Sequence, residues 1–356
     1  KPRRNFNNCP FDGFWICIIF KKSGNLVKMN KQSIFFVLPL LLFCRIAEAD
    51  QTPYLERDEV KEFIIRMEKE HKFSPSELES ILGTAVHQER VIRIMNKQPE
   101  GTMTWSKYRN IMVSEDRINQ AKQFVESYKD QLIKAQDIYG VPAEIIASII
   151  GIETRYGRIT GGTRVVDSLM TLSFDYPRRA KFFKIQLEEF LLLSREEGLN
   201  PNKLKGSIAG AMGYGQFMPD SYRNYAVDFD NDGIRDIVNN PIDAIGSVAN
   251  FLSRKGKWSP NKPIAFKAKL KGDEPQIKSA FKPYMSKREL ESLGIFSEQT
   301  IPMGQLVVPV KLPLESGWEY RIGFDNYYSL SRYNRSKLYV MAVSDFSDEI
   351  SKFFKD

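Results

Sequence analysis

The sequence predicts an α+β protein that is mainly α. Three observations carry this. Apolar residues recur at helical spacing through most of residues 52–260, short alternating runs broken by Pro and Gly occupy 262–322, and helical spacing returns over 339–354. No internal repeat or low-complexity segment is visible.

Residues 1–49 read as a leader to set aside before fold reasoning. Met29-Asn30-Lys31 supplies a basic start, residues 34–43 are almost unbroken apolar, and Ala47-Glu48-Ala49 places small residues where signal peptidase cuts. Translation is therefore expected to start at Met29, and cleavage after Ala49 leaves Asp50 first. The apolar run falls short of the roughly 20 residues that a transmembrane helix needs. Cys44 offers an alternative, acylation and a membrane tether, but bulky Phe43 stands before it where a small residue is usual. All three cysteines, Cys9, Cys17 and Cys44, lie in the leader, so the exported chain folds without a disulfide.

After the leader, residues 50–100 form a helical layer. Val60, Phe63, Ile64 and Met67 share one helical face, and Pro75 opens a second helix with Leu78, Ile81 and Leu82 inward. Residues 101–260 form the main unit. A helix over 114–139 carries Ile118, Ala121, Phe124, Val125, Tyr128, Leu132 and Ile133, and Gly140-Val141-Pro142 breaks it and starts the next over 142–157. A further helix over 180–197 places Phe182, Phe183, Leu187, Phe190 and Leu191 inward. Pro241 or Asp243 opens another, with Ile245, Val248, Ala249 and Leu252 buried. Residues 261–322 are expected to form a small β-containing insertion, and 323–356 to return to the core.

Composition excludes several chemistries. Residues 1–49 hold eight of the 52 basic and two of the 44 acidic residues, which leaves a net charge of +2 on the rest, so no nucleic-acid footprint is present. The two histidines, His71 and His87, have no partners at metal-ligand spacing. Nucleophile systems that need a histidine base, and histidine-rich zinc sites, are thereby disfavoured. Carboxylate chemistry remains.

Glu153 is the candidate. Helical spacing from Pro142, Ile146 and Ile149 puts it on an apolar face, where burial disfavours the charged form and suits a general acid. The structural alternatives are an ion pair with a nearby arginine such as Arg155 or Arg158, or a side chain that rotates to the surface.

Residues 206–225 contain four glycines among the first ten, a density that lets backbone approach a flat ligand. Met212, Tyr214, Phe217, Met218 and Tyr222 are interleaved there, as in a lined cleft. Asp228, Asp230, Asp232, Gly233 and Asp236 occupy positions 1, 3, 5, 6 and 9 of an EF-hand-like loop, and Ile234 is placed to give a carbonyl. Asn239 stands at position 12 in place of a bidentate Glu, so a structural calcium of modest affinity is expected. No cofactor for catalysis is expected. Tyr320, Tyr327, Tyr328, Tyr333, Asn334 and Tyr339 supply rings and amides of the kind that sugar grooves use.

Taken together, these segments resemble the lytic murein transglycosylase B family over about residues 100–350. The resemblance rests on Gly140-Val141-Pro142, Ile149-Ile150-Gly151-Ile152-Glu153-Thr154-Arg155-Tyr156-Gly157, Thr171-Leu172-Ser173-Phe174-Asp175-Tyr176-Pro177-Arg178-Arg179 and Ala209-Gly210-Ala211-Met212-Gly213-Tyr214-Gly215-Gln216-Phe217-Met218-Pro219. It implies a lysozyme-like core that cleaves the N-acetylmuramic acid to N-acetylglucosamine bond and leaves 1,6-anhydro ends, with Glu153 as the single acid/base. Its partner is then the peptidoglycan strand, and with the export signal a periplasmic monomer is expected. Tyr108, Ser207, Gln216, Tyr333, Asn334 and Tyr339 fall where the family lines its glycan cleft, and Phe251 stands where a family Tyr contributes. The calcium loop is one residue longer before Pro241, which leaves Asn239, Asn240 or Asp243 as its last ligand. A hydrolytic muramidase and a non-catalytic peptidoglycan-binding scaffold are the alternatives.

Overall fold

The computed structural model describes residues 53–97 and 103–355. The leader, with Cys9, Cys17, Met29, Cys44 and Ala49, lies outside the described residues. The described residues are mainly helical with two small sheets.

Three helices, α1 (Asp58–His71), α2 (Pro75–Leu82) and α3 (Glu89–Met95), form the N-terminal layer. Val60, Phe63, Ile64 and Met67 of α1 are buried as their spacing predicts. The Ser74 hydroxyl accepts the Glu77 N–H and Pro75 sits at the first helical position, which together start α2 sharply. A carboxylate ties this layer to the rest. Asp175 accepts the Tyr54 hydroxyl at 2.6 Å and the Arg57 guanidinium at 2.5 Å, and meets His87 Nδ1 at 2.6 Å.

The core follows as α4 (Trp105–Met112), α5 (Glu115–Tyr139), α6 (Ala143–Thr154), α7 (Val165–Phe174), α8 (Ala180–Glu196), α9 (Pro219–Tyr225) and α10 (Pro241–Phe251). Two-residue strands β1 (Thr163–Arg164) and β2 (Lys205–Gly206) pair antiparallel in front of the glycine-rich segment. Helix α5 departs from helical geometry at Tyr128 (φ −132°). Beyond that kink the register turns, so Leu132 is fully buried while Ile133, expected inward, is 37% exposed.

Helix α6 packs against α5, α10 and α13 (Lys337–Ile350). Its residues Ala143 and Ile145 through Thr154 are all buried. The expectation of one apolar face is thus corrected: a helix enclosed on all sides has no polar face, and any side chain on it enters the interior.

Four strands, β3 (Ala265–Leu270), β4 (Ile295–Ser297), β5 (Val308–Pro313) and β6 (Trp318–Gly323), form an antiparallel sheet in the order β4-β3-β6-β5. Pro309 is tolerated because β5 is an edge strand. Val308, Val310 and Leu312 face the main core, whereas Tyr320, Ile322 and Phe324 join Met285, Leu290 and Ile295 in a second cluster with α11 (Lys287–Ser292). Helix α12 (Asp325–Ser331) and α13 then bring the chain back against α6. Among the described residues no single helix is long and apolar enough to cross a membrane.

Candidate active site

Glu153 sits one residue before the end of α6 and is 5% exposed. Helix termination there is enforced by Arg155 and Tyr156, both at positive φ (52° and 61°), with Gly157 at 81°. The turn is locked to the glycine-rich segment. Thr154 Oγ1 donates to the Tyr214 carbonyl at 2.9 Å and accepts the Gly157 N–H at 3.0 Å. An added Cβ at Gly157 would lie 2.3 Å from the Tyr214 ring, so glycine is needed for space as well as for conformation.

The ion-pair alternative for Glu153 does not match the arginines' bonding. Arg155 donates to Gln120 at 3.1 Å and pairs with Asp116, and Arg158 donates to Gln123 at 3.1 Å, all on α5. Glu153 Oε1 instead accepts the hydroxyl of Tyr339 at 2.7 Å. Tyr339 is wholly buried on α13, where the Ser336 hydroxyl caps the helix by accepting the Tyr339 N–H. Burial, reinforced by the charge of Glu153, pushes the Tyr339 hydroxyl well above its usual range. It therefore stays protonated and remains a donor to the carboxylate.

Glu153 opens into a cleft of about 420 Å³ lined also by Gln216, Phe251, Tyr333, Asp220 and Tyr328. Gln216 is held at φ 50°, its amide donating to the carbonyls of Thr160 at 2.9 Å and Gly213 at 3.0 Å. The Tyr333 hydroxyl donates to the Gly215 carbonyl, and its ring meets Phe251 edge-on at 4.9 Å. Burial and then the Glu153 charge push this hydroxyl well up too. Phe251 packs among Phe217, Tyr225 and Tyr333.

The structure thus brings Glu153, Gln216, Phe251 and Tyr333 into one cleft, with Tyr339 bonded to the acid. The other sequence candidates stand outside its lining. Tyr108 (1% exposed) and Asn334 (2% exposed) are buried within the core, and Tyr214 covers Gly157. The Ser207 hydroxyl accepts the Ala211 N–H at 3.0 Å and braces the glycine-rich turn. Sequence reasoning missed Arg179, Asp220, Lys255, Lys278, Lys282, Arg332 and Arg335, all of which line the cleft. Phe182 lines it as well, although its spacing suggested core.

In the acidic loop, carboxylate oxygens of Asp228, Asp230 and Asp232 lie within 4.8 Å of one another. Hard oxygen donors this close suit calcium. The backbone winds around them. Gly233 (φ 93°) gives its N–H to Asp228 at 2.9 Å, and Ile234 gives its own to Asp232 at 2.8 Å. Asp236 accepts the Asn239 N–H and side-chain amide, both at 2.9 Å, while Asn240 reaches Asp230 at 2.9 Å. Buried Asp243 clasps the loop to α10, accepting the N–H groups of Phe229 at 2.7 Å and Asp236 at 2.8 Å.

The curated relative "Membrane-bound lytic murein transglycosylase B" of Escherichia coli (strain K12) is 41% identical over 292 residues, 80% of each chain. Among solved structures, the catenated lytic transglycosylase SltB1 from Pseudomonas aeruginosa superposes with a TM-score of 0.79 at 39% identity, covering 83% of this chain and 98% of that one. The Escherichia coli lytic transglycosylase Slt35 in complex with calcium gives 0.75 at 41% identity, covering 82% and 92%. The match to these structures carries the lysozyme-like architecture. With the transglycosylase SLT domain model matching residues 56–348 as well, this chain belongs to the transglycosylase SLT domain family.

Proposed function

We propose that this chain, a lytic transglycosylase by family, cleaves peptidoglycan strands between N-acetylmuramic acid and N-acetylglucosamine with Glu153 as its single acid/base. The observation that carries this is the placement of Glu153: a carboxyl on an enclosed helix, 5% exposed, opening into the cleft while Tyr339 fixes one oxygen at 2.7 Å.

In the protonated state Glu153 donates its proton to the glycosidic oxygen as the bond from C1 to that oxygen breaks. The positive charge developing at C1 is met by the carbonyl of the muramyl acetamido group, so a second carboxylate is not required. The C6 hydroxyl then bonds to C1 and gives its proton to the Glu153 carboxylate, which restores the acid. No water is consumed, and the product is a 1,6-anhydro end. Gln216, Tyr333 and Phe251 hold the sugars, their own positions fixed by the bonds and ring contacts above. Tyr108, Ser207, Tyr214 and Asn334 support the same cleft from behind its lining.

Two further readings belong to this proposal. The Asp228, Asp230 and Asp232 cluster takes a structural calcium, supported by its donor set and by the calcium complex of Slt35. The chain works in the periplasm, where its substrate lies, and its apolar leader is the export signal. Mass spectrometry of fragments released from purified sacculi tests the chemistry. Anhydro ends weigh one water less than reducing ends, and a product mixture with hydrated ends alone would replace transglycosylation by hydrolysis.

A further inference from the structure

Part of the cleft lining comes from segments that this mechanism does not use. Lys278 and Lys282 flank Phe281 between β3 and α11 and line the cleft together with Arg335. Phe281 stacks on Tyr327, ring centroids 5.7 Å apart at 16°, and the Arg335 guanidinium lies 5.6 Å from the Phe281 ring. One aromatic anchor therefore fixes the backbone that carries both lysines beside that arginine. Lys255 and Arg332 extend the same lining, Arg332 lying 6.0 Å over Tyr328.

None of these five cations forms a salt bridge among the described residues. Glu153 and Asp220 are the carboxyls that line the cleft with them, and Asp220 acts on Lys255. Arg332 and Lys255 repel each other. Elsewhere several arginines do pair with acids, as Arg223 with Glu189 and Glu196 shows. A cleft that gathers unpaired cations focuses positive potential on whatever enters it.

The sugar rings of the substrate are neutral. Charge enters through the lactyl arm of the muramyl unit, which ends in one carboxylate when bare and carries a stem peptide with several carboxylates when substituted. Lysine and arginine heads on an exposed wall recognise such groups, arginine through paired N–H donors. We infer that Lys278, Lys282 and Arg335 bind stem-peptide carboxylates and make peptide-bearing strands the preferred substrate of this cleft. This rests on the cleft being the glycan site proposed above.

The test is the triple variant Lys278→Gln, Lys282→Gln and Arg335→Gln in the full chain. All three side chains are exposed, so the fold does not depend on them. kcat/KM is measured on peptide-bearing strands and on the same strands stripped by an amidase, which leaves the lactyl carboxylate alone. The expected result is a fall of about tenfold on peptide-bearing strands, the combined size of a few exposed ion pairs, with a clearly smaller fall on stripped strands. An equal fall on both would mean that the cations read the lactyl carboxylate or bulk charge, and no fall would mean that they read nothing; either result overturns the inference. Product masses are recorded in parallel. Anhydro products without peptide preference would strike this inference alone, whereas wild-type enzyme yielding no anhydro product would strike the mechanism beneath it.

Discussion

Replacing Tyr339 with Phe removes one atom from the site and keeps its volume. The lost group is a hydroxyl on a wholly buried side chain that donates to Glu153 Oε1 at 2.7 Å. Phe leaves no cavity, and the helix that carries the ring keeps its cap, since Ser336 bonds the backbone N–H of residue 339 rather than its side chain. A hydrogen bond to a charged acceptor is worth about 1.5–3 kcal/mol. At roughly 1.4 kcal/mol per factor of ten, its loss lowers turnover about 10- to 100-fold. The fall belongs in kcat, because Tyr339 holds the acid and stands outside the residues that line the cleft. Release of soluble muropeptides from purified sacculi at increasing substrate, with kcat and KM separated, is the assay. Unchanged kcat, or a rise confined to KM, would refute the reasoning that Tyr339 positions the catalytic carboxyl.

Three further outcomes follow from the same geometry. Gly151→Ala places a Cβ 2.5 Å from the Tyr156 hydroxyl and 2.9 Å from Phe346, so overpacking of about 1–3 kcal/mol and a melting temperature lower by several degrees are expected in a thermal scan. Asp175→Asn removes the carboxylate that Tyr54, Arg57 and His87 share, and should cost about 3–5 kcal/mol in denaturant unfolding, since it strips a buried pair of its acid. Calcium at about a hundredfold over its dissociation constant should add about 2.7 kcal/mol to stability, seen as a melting temperature that a chelator lowers and that Asp230→Ala makes insensitive to both.

Glu153 was legible because an acid stands out in an otherwise apolar helix, and the acidic loop because its carboxylates are adjacent in sequence. The helix start at Pro75 was legible for the same reason, a local chemistry that the structure completes with the Ser74 cap. The cationic side of the cleft was hidden because it assembles from 179–182, 251–255, 278–282 and 328–335, segments that no short-range spacing connects. Phe182 follows the helical rhythm of its neighbours, and spacing cannot separate a ring that faces the core from one that borders a cleft. Ile133 was misplaced by the kink at Tyr128, which shifts the face downstream without a Pro or Gly to announce it. Ser207 shows the reverse limit. Motif position suggested the glycan cleft, whereas its hydroxyl closes a backbone turn.

Whether one carboxyl carries the chemistry is tested most directly by Glu153→Gln, a change that keeps shape and removes the transferable proton. Muropeptide release from purified sacculi is followed for variant and wild type side by side. The expected rate is lower by about 10²–10⁴-fold, the usual worth of a general acid, with the melting temperature nearly unchanged. A variant that released muropeptides as fast as the wild type would show that the proton comes from elsewhere.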